Sequence, residues 1–179
     1  MKSRSFSLQP FAAAAPLPAL VITGSLARCS NTLAIDYRLN GHLEGLVIPT
    51  PAKRPARKHR LWQETCLEFF IGVKGSSSYW EFNLSPAGHW NVYRFAAYRQ
   101  EMREEMAFSA LPFSVRVQSD SLLLLLELPL GQIVEADQPL EAAITAVIKD
   151  RKWGLSLWAF THPGPQADFH RRDGFTLEI

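Results

Sequence analysis

Three successive segments of this chain alternate apolar and polar residues with a period of two, and turn-forming residues separate them. In the first, Thr65, Leu67, Phe69 and Ile71 fall on one side, and Cys66, Glu68 and Phe70 on the other. In the second, Trp80, Phe82 and Leu84 oppose Tyr79, Glu81, Asn83 and Ser85, and the third runs from Trp90 to Phe95. Gly75-Ser76-Ser77-Ser78 and Pro86-Ala87-Gly88 lie between them. A two-residue period places successive side chains on opposite faces of a pleated strand, so these segments predict an antiparallel meander. By parity, Glu68, Glu81 and Asn83 share the face opposite to Leu67, Phe69, Trp80, Phe82 and Leu84.

The rest of the chain follows the same rule. Residues 19–28 and 32–39 read as strands joined at Cys29-Ser30-Asn31, and 43–48 as a short apolar strand. Residues 113–118 and 122–130 pair around Ser119-Asp120-Ser121, and 142–149 and 154–161 around Asp150-Arg151-Lys152. Residues 175–179 close with a last strand. Residues 96–107 lose the two-residue period; Tyr98, Met102 and Met106, four apart, suit a short helix or helical loop. The expectation is an all-β, antiparallel β-sandwich of about ten strands with at most one short helix. Residues 1–18 read as an irregular, Pro-containing lead, and residues 19–179 as one domain, a usual size for one hydrophobic core.

Charge narrows the partners. Lys53, Arg54, Arg57, Lys58 and Arg60 form an acid-free run, and the remaining 14 basic residues stand against 17 acidic ones. A polyanion-binding surface is normally basic over a wider face. The run therefore reads as a mobile, solvated loop, and no nucleic-acid partner is expected. No apolar stretch reaches the length of a membrane-spanning helix, so no membrane partner is expected either. Lys2 and Arg4 precede an apolar stretch that invites comparison with an export signal, but Pro16 and Pro18 break it. With two cysteines, too few for a disulfide framework, the chain reads as cytoplasmic. The sequence assigns no oligomeric state.

Leu61 to Gly72, Tyr79 to Gly88 and Trp90 to Phe95 form the most specific block of the sequence. Weaker motifs follow at Trp158-Ala159, Thr161-His162, Ala167-Asp168-Phe169-His170 and Asp173-Gly174-Phe175. From about residue 19 onward, the chain resembles bacterial DOMON-like proteins, a group related to the family-nine carbohydrate-binding modules. The resemblance implies a β-sandwich that binds sugars or haem in related branches.

Two constellations carry the candidate chemistry. Glu68, Glu81 and Asn83 could hydrogen-bond the hydroxyls of a carbohydrate or polyol, with Trp62 and Trp158 stacking on its faces. In that reading His162, Asp168 and His170 shape the rim, no residue is catalytic and no cofactor is required. The same residues leave alternatives open. Glu68 and Glu81 meet the residue-type requirement of a glycoside hydrolase, but cross-strand neighbours would sit closer than that chemistry prefers. His162 and His170 could ligate haem or a metal. The domain could also serve interaction without a small ligand.

Overall fold

The computed structural model describes residues 2–11 and 16–179. Twelve strands follow in chain order: β1 (Lys2–Pro10), β2 (Leu20–Cys29), β3 (Thr32–Gly41), β4 (Cys66–Val73), β5 (Tyr79–Leu84), β6 (Trp90–Phe95), β7 (Arg103–Glu104), β8 (Phe113–Val117), β9 (Ser121–Pro129), β10 (Leu140–Asp150), β11 (Gly154–Ala159) and β12 (Leu177–Glu178). Three short 3₁₀ turns are the only helical elements among the described residues. The chain is thus an all-antiparallel β fold in a sandwich-like arrangement. One layer runs β1–β2–β3–β9–β8, the other β7–β6–β5–β4–β10–β11, with β12 beside β10. Strand β1 belongs to both layers: its first residues pair with β2, and Gln9 and Pro10 pair with β11.

The core lies between the layers and is built by alternation. Leu67, Phe69 and Ile71 of β4 and Trp80, Phe82 and Leu84 of β5 point into it, as the sequence parity predicts. Phe69 and Phe82 are register partners whose rings stack at 4.4 Å. From the other layer come Leu33, Ile35, Tyr37 and Leu39 of β3, and Leu122, Leu124, Leu126 and Leu128 of β9. The β2–β3 hairpin turns through Ser30 and Asn31, both at positive φ, the geometry whose twist matches two-residue hairpins.

The layers differ in one respect that governs everything else. Strand β9 alternates buried and less buried residues, whereas every residue of β5 is buried, as is all of β4 up to Val73. The central strands of the second layer, β6, β5, β4 and β10, are therefore covered on both faces. The outer face of this layer carries a separate cluster of Phe70, Tyr79, Tyr93, Phe95, Ala143 and Phe175, against which Trp62 and Phe169 pack. Segments 96–102 and 161–175 supply the cover.

Four expectations need correction. Residues 2–10 form a strand instead of an irregular lead, because Phe6 and Leu8 alternate into the core; residues 12–15 of that lead lie outside the described residues. Residues 43–48 hold a 3₁₀ turn at Leu43–Gly45 and one bridge, Leu46 to Asp150, not a strand. Residues 96–107 are not helical: Tyr98, Met102 and Met106 are exposed, so their spacing has no apolar face to bury. The basic run is also not a free loop. The Arg57 guanidinium lies 4.4 Å from the Trp90 ring centre and donates to Asn91 Oδ1 (2.7 Å) and to the carbonyls of Glu105 (2.9 Å) and Phe108 (2.6 Å). Backbone bonds Lys58 to Trp90 and Trp90 to Ala56 dock the same segment.

Arg57→Ala leaves two carbonyls and an amide oxygen without their charged donor. It is expected to destabilise the fold by about 2 kcal/mol, measured by urea denaturation. Arg54→Ala, at an exposed position, serves as the control and is expected to change stability by less than about 0.5 kcal/mol.

Candidate functional site

Register converts the outer face of the second layer into a grid. Glu68 stands opposite Asn83 and Thr145, and Asn83 opposite Asn91. In the next row, Phe70 stands opposite Ala143 and Glu81, and Glu81 opposite Tyr93. Beyond them Tyr79 and Phe95 stack at 4.8 Å. Glu68 and Glu81 are thus diagonal neighbours, not directly opposed.

The cover is held by polar bonds. Asp168 accepts from Arg99 Nη2 (2.9 Å), from the Tyr98 hydroxyl and from the His170 amide (3.1 Å). Burial opposes ionisation of Asp168, but these donors outweigh it and hold its carboxyl below the usual range. The Tyr79 hydroxyl accepts the Arg99 amide (3.2 Å) and meets His170 Nδ1 at 2.9 Å. Both groups are best satisfied if Tyr79 donates to Nδ1, which assigns the ring proton to Nε2. That nitrogen faces Glu81 Oε2 at 3.8 Å.

Beneath the cover lies a cavity of about 400 Å³. Glu68, Glu81, Arg99, Asp168 and His170 give it polar groups; Trp62, Phe70, Phe95, Met102, Leu155 and Leu157 are among its apolar walls. Glu68 is 2% exposed, and its Oε1 has no hydrogen-bond partner. Burial, then the neighbouring Glu81 charge, push its carboxyl well above the ordinary range, against a bond with Cys66. Burial raises Glu81 to about 7, opposed by the Asn83 bond and by Arg99. Burial and Arg99 lower His170 to about 4, with Asp168 opposing. At neutral pH the contact between His170 and Glu81 therefore joins a neutral ring to a carboxyl group and is not an ion pair.

Five of the eight sequence candidates meet in this cavity: Trp62, Glu68, Glu81, Asp168 and His170. Asn83 is fully buried and donates to Glu81 Oε1 at 2.8 Å, so it positions the carboxylate beneath the wall. Trp158 is only 3% exposed and belongs to the core between the layers, with its indole N–H on Ser156 Oγ (2.9 Å); it is not presented for stacking. His162 does not line the cavity: its Nε2 meets the Gln9 carbonyl at 2.9 Å and its ring packs on Phe11. The two histidines are thus not brought together as a ligand pair. Among the described residues, no three His, Cys, Asp or Glu side chains group as metal donors. The sequence reading missed Phe70 and Phe95, whose parity was available, and Leu155 and Leu157, which oppose Trp158 across β11. Arg99, a loop residue at positive φ, carries no local signal.

No protein-family model matches the chain, and no curated protein matches it in sequence. Its fold is nevertheless shared by solved structures. One, from Bacteroides uniformis and described as a "putative carbohydrate-binding protein", aligns with 96% of this chain and 84% of its own at TM-score 0.73 and 14% identity. A family-nine carbohydrate-binding module from Caldicellulosiruptor kristjanssonii aligns in its cellotriose complex with TM-score 0.56 and 11% identity, over 98% of this chain and 80% of its own. In its glucose complex the TM-score is 0.51 at 9% identity, over 84% and 71%. At such identities the likeness is one of fold.

Two outcomes follow from the burial pattern. Glu81 and Glu68 hold protons in the fold at pH values where the unfolded chain has lost them, so rising pH favours unfolding. His170 has the opposite sign, but its contribution is lost only as pH falls from 6.5 towards about 4. Above that window the carboxyls act alone. The melting temperature is expected to fall as pH rises from about 6.5 through about 7, where Glu81 loses its proton, and Glu68→Gln to flatten the fall; a flat wild-type profile would contradict the assignment. Trp158→Ala, in turn, is expected to cost about 3–5 kcal/mol of stability, read from chemical denaturation.

Proposed function

We propose that this chain is a non-catalytic carbohydrate-binding domain of the DOMON-like group, with its ligand in the cavity over β4, β5 and β11. The observation that carries this reading is Glu68, which lines a cavity walled by aromatic rings and keeps one buried carboxyl oxygen without a partner. Buried polar groups are rarely left without a partner, and a polyol hydroxyl is a suitable one. Trp62 offers a ring for stacking. It sits in the 3₁₀ turn before β4, half-buried, with its ring edge-on to Tyr93 at 5.9 Å. The sugar named with the family-nine module structures supports the same class of ligand.

Binding is favoured over hydrolysis by the placement of the acids. Hydrolysis sets two carboxyl groups on either side of a glycosidic bond. Glu68 and Glu81 lie side by side on the floor formed by one sheet, and Glu81 is tied down by Asn83. A cytoplasmic setting fits the two free thiols, one of them, Cys29, exposed.

Titration with glucose and cellotriose, followed by tryptophan fluorescence and calorimetry, tests the reading. Trp62→Ala is expected to weaken sugar binding by about tenfold, or roughly 1.4 kcal/mol, without loss of fold by circular dichroism. Sugar affinity unchanged in Trp62→Ala would remove the stacking role, and a glycan array without a single hit would remove the function.

A further inference from the structure

The acidic and basic groups around the cavity are unequal in number. Three carboxyl groups line it, from Glu68, Glu81 and Asp168, against one permanent cation, Arg99. Asp168 and Arg99 are consumed by each other at 2.9 Å, and Asp168 is bonded twice more. Glu68 and Glu81 remain. Neither makes an ion pair with Lys or Arg among the described residues, and the one basic ring near Glu81, His170, is 3.8 Å away and engaged by Tyr79. The other titratable groups around the two acids are Cys66 beside Glu68, Tyr37 beneath it, and Tyr79 and Tyr93 near Glu81. All are acids that are neutral near pH 7, so none supplies positive charge.

Resting on the carbohydrate-binding reading, we propose that the preferred ligand is an amino sugar, with its protonated amine seated between Glu68 and Glu81. An ammonium group has three donors and no acceptor, which suits an unpartnered carboxylate oxygen and a second carboxylate on the adjacent diagonal. The rings of Trp62, Phe70 and Phe95 line the same cavity, and aromatic faces attract organic cations. A compact divalent ion fits less well, because the acidic side chains do not converge as a metal group among the described residues.

The proposal carries a proton balance. Without ligand, both acids hold protons above the ordinary carboxylate range, Glu81 up to about pH 7. An incoming ammonium stabilises the ionised form and expels a proton to solvent, whereas a neutral sugar does not.

The test uses the full chain and three trisaccharides: fully deacetylated chitotriose, its N-acetylated counterpart and cellotriose, titrated by calorimetry at about pH 6.5 in two buffers of different ionisation enthalpy. The amine-bearing trimer is expected to bind at least about tenfold tighter than cellotriose, with a buffer-dependent enthalpy that reports proton release. Glu68→Gln is expected to reduce both that preference and the proton release, because one of the two carboxyl groups facing the amine is lost. The wild-type comparison stands alone should the variant fail to fold. Equal or tighter binding of cellotriose overturns the amine proposal and leaves carbohydrate binding intact. Absence of binding by all three trimers overturns both.

Discussion

A sheet in a two-layer sandwich can hide only one face against its partner. In this chain the second layer needs both faces hidden, because β4, β5 and β6 place Phe70, Tyr79, Tyr93 and Phe95 on the side away from the core. That requirement organises the rest of the molecule. Segments 96–102 and 161–175, which have no regular alternation of their own, are recruited as a cover. They are fixed by Arg99 to Asp168, Tyr79 to His170, and Arg172, which donates to Glu141 and lies 4.5 Å from the Phe175 ring centre. Gly72 on β4 makes room for this clasp: a Cβ there would come within 2.5 Å of the Arg172 guanidinium and would displace it. Irregular chain cannot tile a flat sheet as a second sheet does, so the cover leaves a space, and that space is the cavity.

The same face shows two ways of burying polar groups. Towards β6 everything is paired. Asn91 receives Arg57, bonds the Lys58 carbonyl, and reaches the Tyr93 hydroxyl and Glu104. This network is internally complete and pins the basic segment in place. Towards β4 the pairing stops: Asn83 satisfies Glu81 on one side, and Glu68 retains an oxygen with nothing opposite. Both regions sit on one sheet and are equally shielded, so solvent access does not explain the difference. A fully connected network stiffens structure, whereas an incomplete one is costly unless a further molecule completes it. The contrast between Asn91 and Glu68 is what supports placing a ligand at the β4 end of the face.

The sequence disclosed parity well and depth poorly. Alternation in residues 65–95 places Glu68, Glu81 and Asn83 on one face, and the structure agrees. Parity cannot say which polar residue lies under another, so Asn83 and Glu81 look equivalent in sequence although one supports the other. In β11 both faces are apolar, with Leu155 and Leu157 against Trp158, and parity does not tell which is inward. The indole suggested stacking, while its face in fact meets the core. In β1 the alternation of Phe6 and Leu8 with Ser5 and Ser7 is legible, but Pro10, Pro16 and Pro18 favoured an irregular lead over a strand. Contacts made across long sequence separations, such as Arg99 with Asp168 or Arg57 with Phe108, leave no local trace at all.

The cover and the floor also differ in how their electrostatics respond to the surroundings. The Arg99 side chain is half exposed, and its bond to Asp168 is open to screening by salt. Glu68 and Glu81 are shielded and respond to what enters the cavity more than to bulk ions. Loosening the clasp would affect the floor as well, since Arg99 helps keep His170 neutral and favours the ionised form of Glu81. Removing its charge from above the floor would raise Glu81 further and ease protonation of His170. A proton would then be held more readily between the two, where it is now disfavoured on His170. The cover thus does more than shield the aromatic rings of the outer face. Burial chiefly sets the protonation of Glu81 and His170, Arg99 adjusts it, and the clasp at Asp168 ties that cation to the cavity.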